Sequence, residues 1–133
     1  MNTVFLDTVG LLATWDASDQ WHAPARAAYQ QMVAQRRAIV TTTFVLLECG
    51  NAASRRPYRA AVARFCHEMQ SSGRVVSPSE EEWLAAWDTY ASQDATGAGI
   101  VDHVSFIVMR RLNLTDVFSN DRHFKAAGFN TLF

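Results

Sequence analysis

The sequence predicts an α/β fold in which a central parallel sheet of four or five strands is flanked by helices. Three observations lead there. Short apolar, β-branched runs alternate with longer stretches of helical apolar spacing, and the alternation contains no internal repeat or low-complexity linker. The chain has 133 residues, 49% of them hydrophobic, enough for one domain with a real core spanning 1–133.

Thr3 to Leu6 opens the chain as an apolar strand, and Val9 to Trp15 begins a helical stretch. His22 to Arg36 carries Ala25, Ala28, Tyr29, Met32 and Val33 at helical spacing. Ala38 to Thr42 reads as a second strand, and Phe44 to Ser54 as a helix whose apolar positions are Val45, Leu47 and Ala52. Pro57 starts the next helix, with Ala61, Val62, Phe65, Cys66 and Met69 on one face, and Ser71-Ser72-Gly73 stops it. Val75-Val76 is a brief third strand. Ser79 then caps a helix opened by Glu80, Glu81 and Glu82, acids that favour the positive end of the helix dipole, with Glu82 at capping-box spacing. Trp83, Leu84, Trp87, Tyr90 and Ala91 share one side of that helix, and Trp83, Leu84, Trp87 and Tyr90 are expected in the core rather than on a self-association or antitoxin surface. After the break Gly97-Ala98-Gly99 a helix runs from Ile100 to Leu112, followed by strand four at Val117 to Ser119. A short helix from Phe124 to Ala127, a stop at Gly128 and the run Thr131-Leu132-Phe133 complete the alternation.

A formal charge of −1 argues against binding nucleic acid through overall charge alone. Eleven of the twelve basic side chains are nevertheless Arg, whose planar donor fork suits phosphates and carboxylates. Cys49 and Cys66 lie in helical patterns without CxxC spacing, as expected of small buried thiols in a reducing compartment rather than of a zinc site. No apolar stretch is long enough to span a bilayer, and the start Met1-Asn2-Thr3-Val4 lacks a basic leader, so no membrane association and a cytoplasmic location are expected.

Ligands of open α/β sheets bind beyond the carboxyl ends of the strands, where strand order switches. Asp7 follows the first strand and Asp121 the fourth, although an Asp at either junction also serves as a helix cap. Glu48 shares a helical face with Phe44, Val45 and Ala52 and is expected to point inwards, where it needs a cation, a hydrogen-bond network or a bound proton, against the plainer reading of an internal Arg–Glu pair. Asp102 stands in the first turn of its helix, a position the dipole alone could explain. Together the four could form one strongly negative pocket, whose repulsion a hard divalent ion such as Mg²⁺ or Mn²⁺ would relieve. Hydrolysis of a phosphodiester is the reaction such a centre performs.

The segments Phe5-Leu6-Asp7-Thr8, Leu47-Glu48-Cys49-Gly50-Asn51-Ala52, Val101-Asp102-His103-Val104-Ser105-Phe106 and Ser119-Asn120-Asp121-Arg122-His123-Phe124 stand in order along nearly the whole chain. With the tail Ala127-Gly128-Phe129 they resemble the PIN-domain family and, within it, the VapC toxins of bacterial toxin–antitoxin pairs. The resemblance implies a PIN fold and an endoribonuclease dependent on Mg²⁺ or Mn²⁺. It places Asp7, Glu48, Asp102 and Asp121 on the acidic quartet, with Thr8 and Ser119 as supporting hydroxyls. Asp7 and Asp102 would be the principal ligands, Glu48 a ligand or water-orienting base, and Asp121 a direct or water-mediated ligand. An RNA substrate, tRNA or rRNA, a cognate antitoxin and a toxin homodimer are also implied. Val9 and Val101 depart from the family, which often carries small or hydroxyl residues there.

For RNA contact, Arg55-Arg56-Pro57-Tyr58-Arg59 combines phosphate-pairing forks with an aromatic, against the plainer reading of a solvated turn. Arg122, beside Asp121, is the better rim candidate, whereas Arg110 and Arg111 suit a helix C-terminus regardless of ligand. His103 and His123 neighbour acids but are expected to point elsewhere, and Asp16 and Asp19 are read as turn and cap residues. Three rival functions remain. A phosphatase of the haloacid-dehalogenase type needs a second Asp where this chain has Val9. The same fold could also serve RNA processing without being a toxin, or act as a nuclease-dead binding module.

Overall fold

The computed structural model describes residues 3–133; Met1 and Asn2, part of the start read above as lacking a leader, lie outside the described residues. In chain order the elements are β1 (Val4–Leu6), α1 (Thr8–Trp15), α2 (His22–Ala34), β2 (Ile39–Thr42), α3 (Thr43–Ala52), α4 (Arg59–Ser71), β3 (Val75–Val76), α5 (Glu80–Ala91), α6 (Ile100–Arg111), β4 (Asp116–Phe118), α7 (Arg122–Ala126) and β5 (Asn130–Thr131). The five strands pair in parallel in the order β3-β2-β1-β4-β5. Val4, Phe5 and Leu6 are all fully buried, because the central strand of a sheet covered on both faces has no solvent side and so shows no alternation.

From β1 the chain builds outward to β2 and β3, then returns to lay β4 and β5 on the other flank. The order therefore reverses between β1 and β4, which are paired Leu6 to Phe118 at their carboxyl ends. Gly10 makes this junction possible. A Cβ at Gly10 would stand 2.1 Å from the Phe118 carbonyl oxygen, so only glycine lets the first turn of α1 press against the end of β4. The Thr41 hydroxyl donates to the Leu6 carbonyl at 2.8 Å and fixes β2 at the same level.

Helix ends follow local chemistry. Ser79 and Glu82 close the expected capping box on α5. Gly73 and Gly128 take left-handed φ of 70° and 97° after α4 and α7. Arg36 also has a positive φ, 53°, which is why α2 ends at Ala34 rather than running through Arg36. Helix α4 begins at Arg59, not Pro57, since residues 53–59 are taken up by turns closed from the Arg56 amide to the Ala53 carbonyl and from the Arg59 amide to the Arg56 carbonyl.

Two expectations about faces are corrected. Trp83, Leu84, Trp87 and Tyr90 are 37–48% exposed, because α5 packs on α6 and buries the small Ala86 rather than the aromatic stripe. Leu47 is 67% exposed, since Val45 and Cys49 define the inward face of α3 and a residue two on from Val45 points away from it. Both cysteines are free thiols, Cys49 buried and Cys66 half-buried. Among the described residues no helix is long and apolar enough to cross a membrane.

Candidate active site

Asp7 leaves β1 as the N-cap of α1, with its Oδ2 accepting from the Val9 amide at 3.3 Å and from the Ser119 hydroxyl at 2.8 Å. The cap reading and the site reading therefore coexist in one side chain. Asp7 is only 1% exposed, and its other oxygen, Oδ1, is buried with no hydrogen-bond partner. Burial first, then the negative charges of Asp102 and Asp121, push its carboxyl up to about 8, against the hydrogen bonds from Ser119 and Val9. The Ser119 hydroxyl also accepts from the Asp121 amide at 3.0 Å, so one side chain at the end of β4 orients two of the acids.

Asp121 is the N-cap of α7 and Asp102 lies in the first turn of α6. Burial, Asp121 and Glu48, in that order, raise the Asp102 carboxyl to about 6. Ligand atoms of Asp102, Asp121 and His123 all lie within 4.8 Å of one another. Asp7 and Glu48 flank that tight set and act on it through charge. The ion pairs of Arg37, Arg56 and Arg111 go to Asp116, Asp16 and Glu82, outside this group.

Glu48 corrects an expectation. It is exposed, not buried, and stands on the solvent flank of α3 while Cys49 takes the core position beside it. The Thr8 hydroxyl donates to its Oε1 at 2.5 Å, reaching from the first turn of α1. The acids thus grade from sealed (Asp7) through half-buried (Asp102, Asp121) to open (Glu48).

His123 is the residue that sequence reasoning set aside. Helical neighbours diverge, but Asp121 caps the helix from outside it and folds forward, accepting from the His123 amide at 2.8 Å and lying 3.0 Å from its Nδ1. Its Nε2 is 3.0 Å from the Thr96 carbonyl, and this contact, ahead of Asp121, raises the imidazole above its ordinary value. The signal was available as an N-cap Asp two residues before a His. His103 turns away, as expected, into the cleft beside the site.

An orphaned, buried carboxylate oxygen on a side chain that feels the charge of further carboxylates is a poor structural element and a good ligand for a hard cation. The donor set, oxygen-rich with one imidazole, fits Mg²⁺ or Mn²⁺ and not a thiolate metal. A profile of the PIN domain matches residues 4–130. The chain belongs to the PIN domain family. It is similar to the 23S rRNA-specific endonuclease VapC20 of Mycobacterium tuberculosis strains CDC 1551 / Oshkosh and ATCC 25618 / H37Rv, 29% identical over 127 residues covering 95% of this chain and 95% of each relative. It also resembles the crystal structure of M. tuberculosis VapC20, a sarcin-ricin loop cleaving toxin, with a TM-score of 0.80 and 26% identity over 96% of both chains.

In this PIN domain Val9 serves Asp7 through its backbone amide, a contact that any residue at that position supplies. Val101 gives its carbonyl to the Ser105 hydroxyl at 2.9 Å. Arg122 is exposed next to Asp121. In the turn after α3, Arg56 pairs with Asp16 at 2.7 Å and lies 5.8 Å over the Tyr58 ring, Arg59 donates to the Ser54 carbonyl, and Arg55 is exposed. Asp16 and Asp19 close Asx turns on Ser18 and Trp21.

Proposed function

We propose that this PIN domain is a metal-dependent endoribonuclease and the toxin of a toxin–antitoxin pair. The observation that carries the reading is the buried, partnerless Oδ1 of Asp7 among acids that raise one another's affinity for positive charge. A fold with no use for a cation would place an apolar or amide side chain there at lower cost.

Asp7, Asp102 and Asp121 would hold Mg²⁺ or Mn²⁺, with His123 completing the set on the Asp121 side. When bound, such an ion neutralises phosphate charge, acidifies a water and stabilises the leaving oxygen. Glu48, open to solvent and oriented at Oε1 by the Thr8 hydroxyl, takes the proton of the attacking water on its carboxylate. Ser119 holds Asp7 and Asp121 in register for the ion. Arg122 stands at the rim for a neighbouring phosphate, and Arg55, Arg56 and Arg59 offer a second contact beyond α3.

The names of the relatives, which specify 23S rRNA and the sarcin-ricin loop, make a structured rRNA loop the first substrate to try, ahead of tRNA. A cognate antitoxin covering the acids, a homodimer and a cytoplasmic location complete the reading. Incubation of the purified chain with such RNA is expected to give cleavage with Mg²⁺ or Mn²⁺ that EDTA abolishes. Asp7→Asn and Asp102→Asn are each expected to reduce it about a hundredfold or more while far-UV circular dichroism is retained. Cleavage indifferent to EDTA and to both substitutions would overturn the mechanism. Failure of the protein of an adjacent small reading frame to neutralise cleavage would remove the toxin role alone.

A further inference from the structure

A cleft of roughly 600 Å³ opens beside the acids, between the end of α5, the loop 92–98, α6 and α7. It shares His123 with the set formed by Asp102 and Asp121, so the cleft and the acids adjoin. The walls are neither a dry core void nor a random polar surface.

Gln93 is exposed, yet its amide is held. The Nε2 of His103 lies 3.1 Å from Gln93 Oε1, and His103 is itself buried, edge-on to Tyr90 and Phe106 at 6.4 and 5.7 Å. Gly97 makes room for the side chain, since a Cβ there would stand 2.3 Å from Gln93 Oε1 and 2.8 Å from Gln93 Cβ. The amide is therefore positioned before any ligand arrives, which lowers the entropy lost on binding. Elsewhere in the cleft, Arg110 lies 5.2 Å over Phe129 and 5.9 Å over Phe106, with Nη2 donating to the Ala127 carbonyl. Its guanidinium is held against the two rings and keeps donors to spare. The Asp94 carboxylate is turned into its own loop, onto the amide and hydroxyl of Thr96, at 2.9 and 2.6 Å.

A side-by-side amide donor and acceptor matches the edge of a base, adenine best, and unpaired bases are what single-stranded RNA offers to such a pocket. We infer that this cleft is the specificity pocket of the nuclease, taking one unstacked adenine beside the scissile phosphate. Gln93 reads its edge, Arg110 holds a flanking phosphate, and His103 is the positioning residue behind Gln93. The inference rests on the nuclease reading above but can be tested without cleavage.

RNAs with a randomised loop are selected for binding to the Asp7→Asn protein in EDTA, and the bound pool is sequenced. Adenine is expected to be enriched at one position, and adding Gln93→Ala is expected to reduce that enrichment about tenfold at that position alone. His103→Leu is expected to lose the same preference, whereas Arg110→Ala should weaken binding of all sequences together and lower its salt dependence. A parent pool with no enriched base, or the same enrichment with Gln93→Ala, would overturn the pocket. Cleavage of the same library by the wild-type chain in Mn²⁺ reports separately on the nuclease reading, so the two can fail independently.

Discussion

In metal-free protein, Asp7→Asn is expected to raise stability at neutral pH and to remove most of the fall of stability with pH. Asp7 has an ordinary value of 3.8 and is lifted to about 8 by burial and by its acidic neighbours. Between those values the folded chain keeps a proton that the unfolded chain has released, so unfolding free energy falls as pH rises. The stability tied to the protonated form is complete below 3.8 and is lost as pH climbs through about 8. One such group gives a slope of about 1.4 kcal/mol per pH unit, so between about pH 5 and about pH 7 the wild type loses roughly 3 kcal/mol through Asp7. Asp102, raised to about 6, adds a loss of the same sign at the acidic end of the range. Asn cannot ionise, and its oxygen can still accept from Ser119. Urea denaturation of both proteins in EDTA across this range checks the difference, in which the other titrating groups largely cancel. Mn²⁺ at about a hundred times its Kd should return roughly 2.7 kcal/mol to the wild type and clearly less to the variant. Parallel stability curves for the two proteins, or equal stabilisation by Mn²⁺, would refute the reasoning.

Gly10→Ala places a Cβ 2.1 Å from the Phe118 carbonyl oxygen, a backbone atom that cannot yield, and is expected to cost about 3 kcal/mol in urea denaturation. An unchanged midpoint would mean that α1 is not seated on β4 as described. Ser119→Ala removes the hydroxyl that donates to Asp7 and accepts from Asp121, and is expected to weaken Mn²⁺ binding between about ten- and a hundredfold in calorimetry. Unaltered affinity would show that the two acids hold their places without it.

The sheet and the helix boundaries were largely legible because their signals are local. Apolar β-branched runs marked the strands, the Ser79 to Glu82 box and Gly73 marked helix ends, and acids directly after strands marked the switch point between β1 and β4. What was not legible depends on what lies opposite. Periodicity says that Trp83, Leu84, Trp87 and Tyr90 share a face of α5, but only packing says that α6 takes the Ala86 line and leaves that face half open. The Arg36 stop is likewise silent, because a positive φ at an ordinary residue has no signature in its identity.

Glu48 and His123 fail for a deeper reason, and it bears on the chemistry. Helix geometry alone makes Glu48 an acid on an apolar face and His123 a neighbour pointing elsewhere, while the site is assembled across element boundaries. Thr8 reaches Glu48 from another helix, and Asp121 meets His123 from a cap position. The graded burial that results separates tasks that one environment could not combine. On the proposed function, a sealed Asp7 would exchange its proton for a cation, because desolvation makes its bare charge costly. On the same reading, an open Glu48 acting as the base would have solvent beside it to take the proton away. Exchanging the two environments would leave the ion without its buried anchor and the base without an exit for its proton.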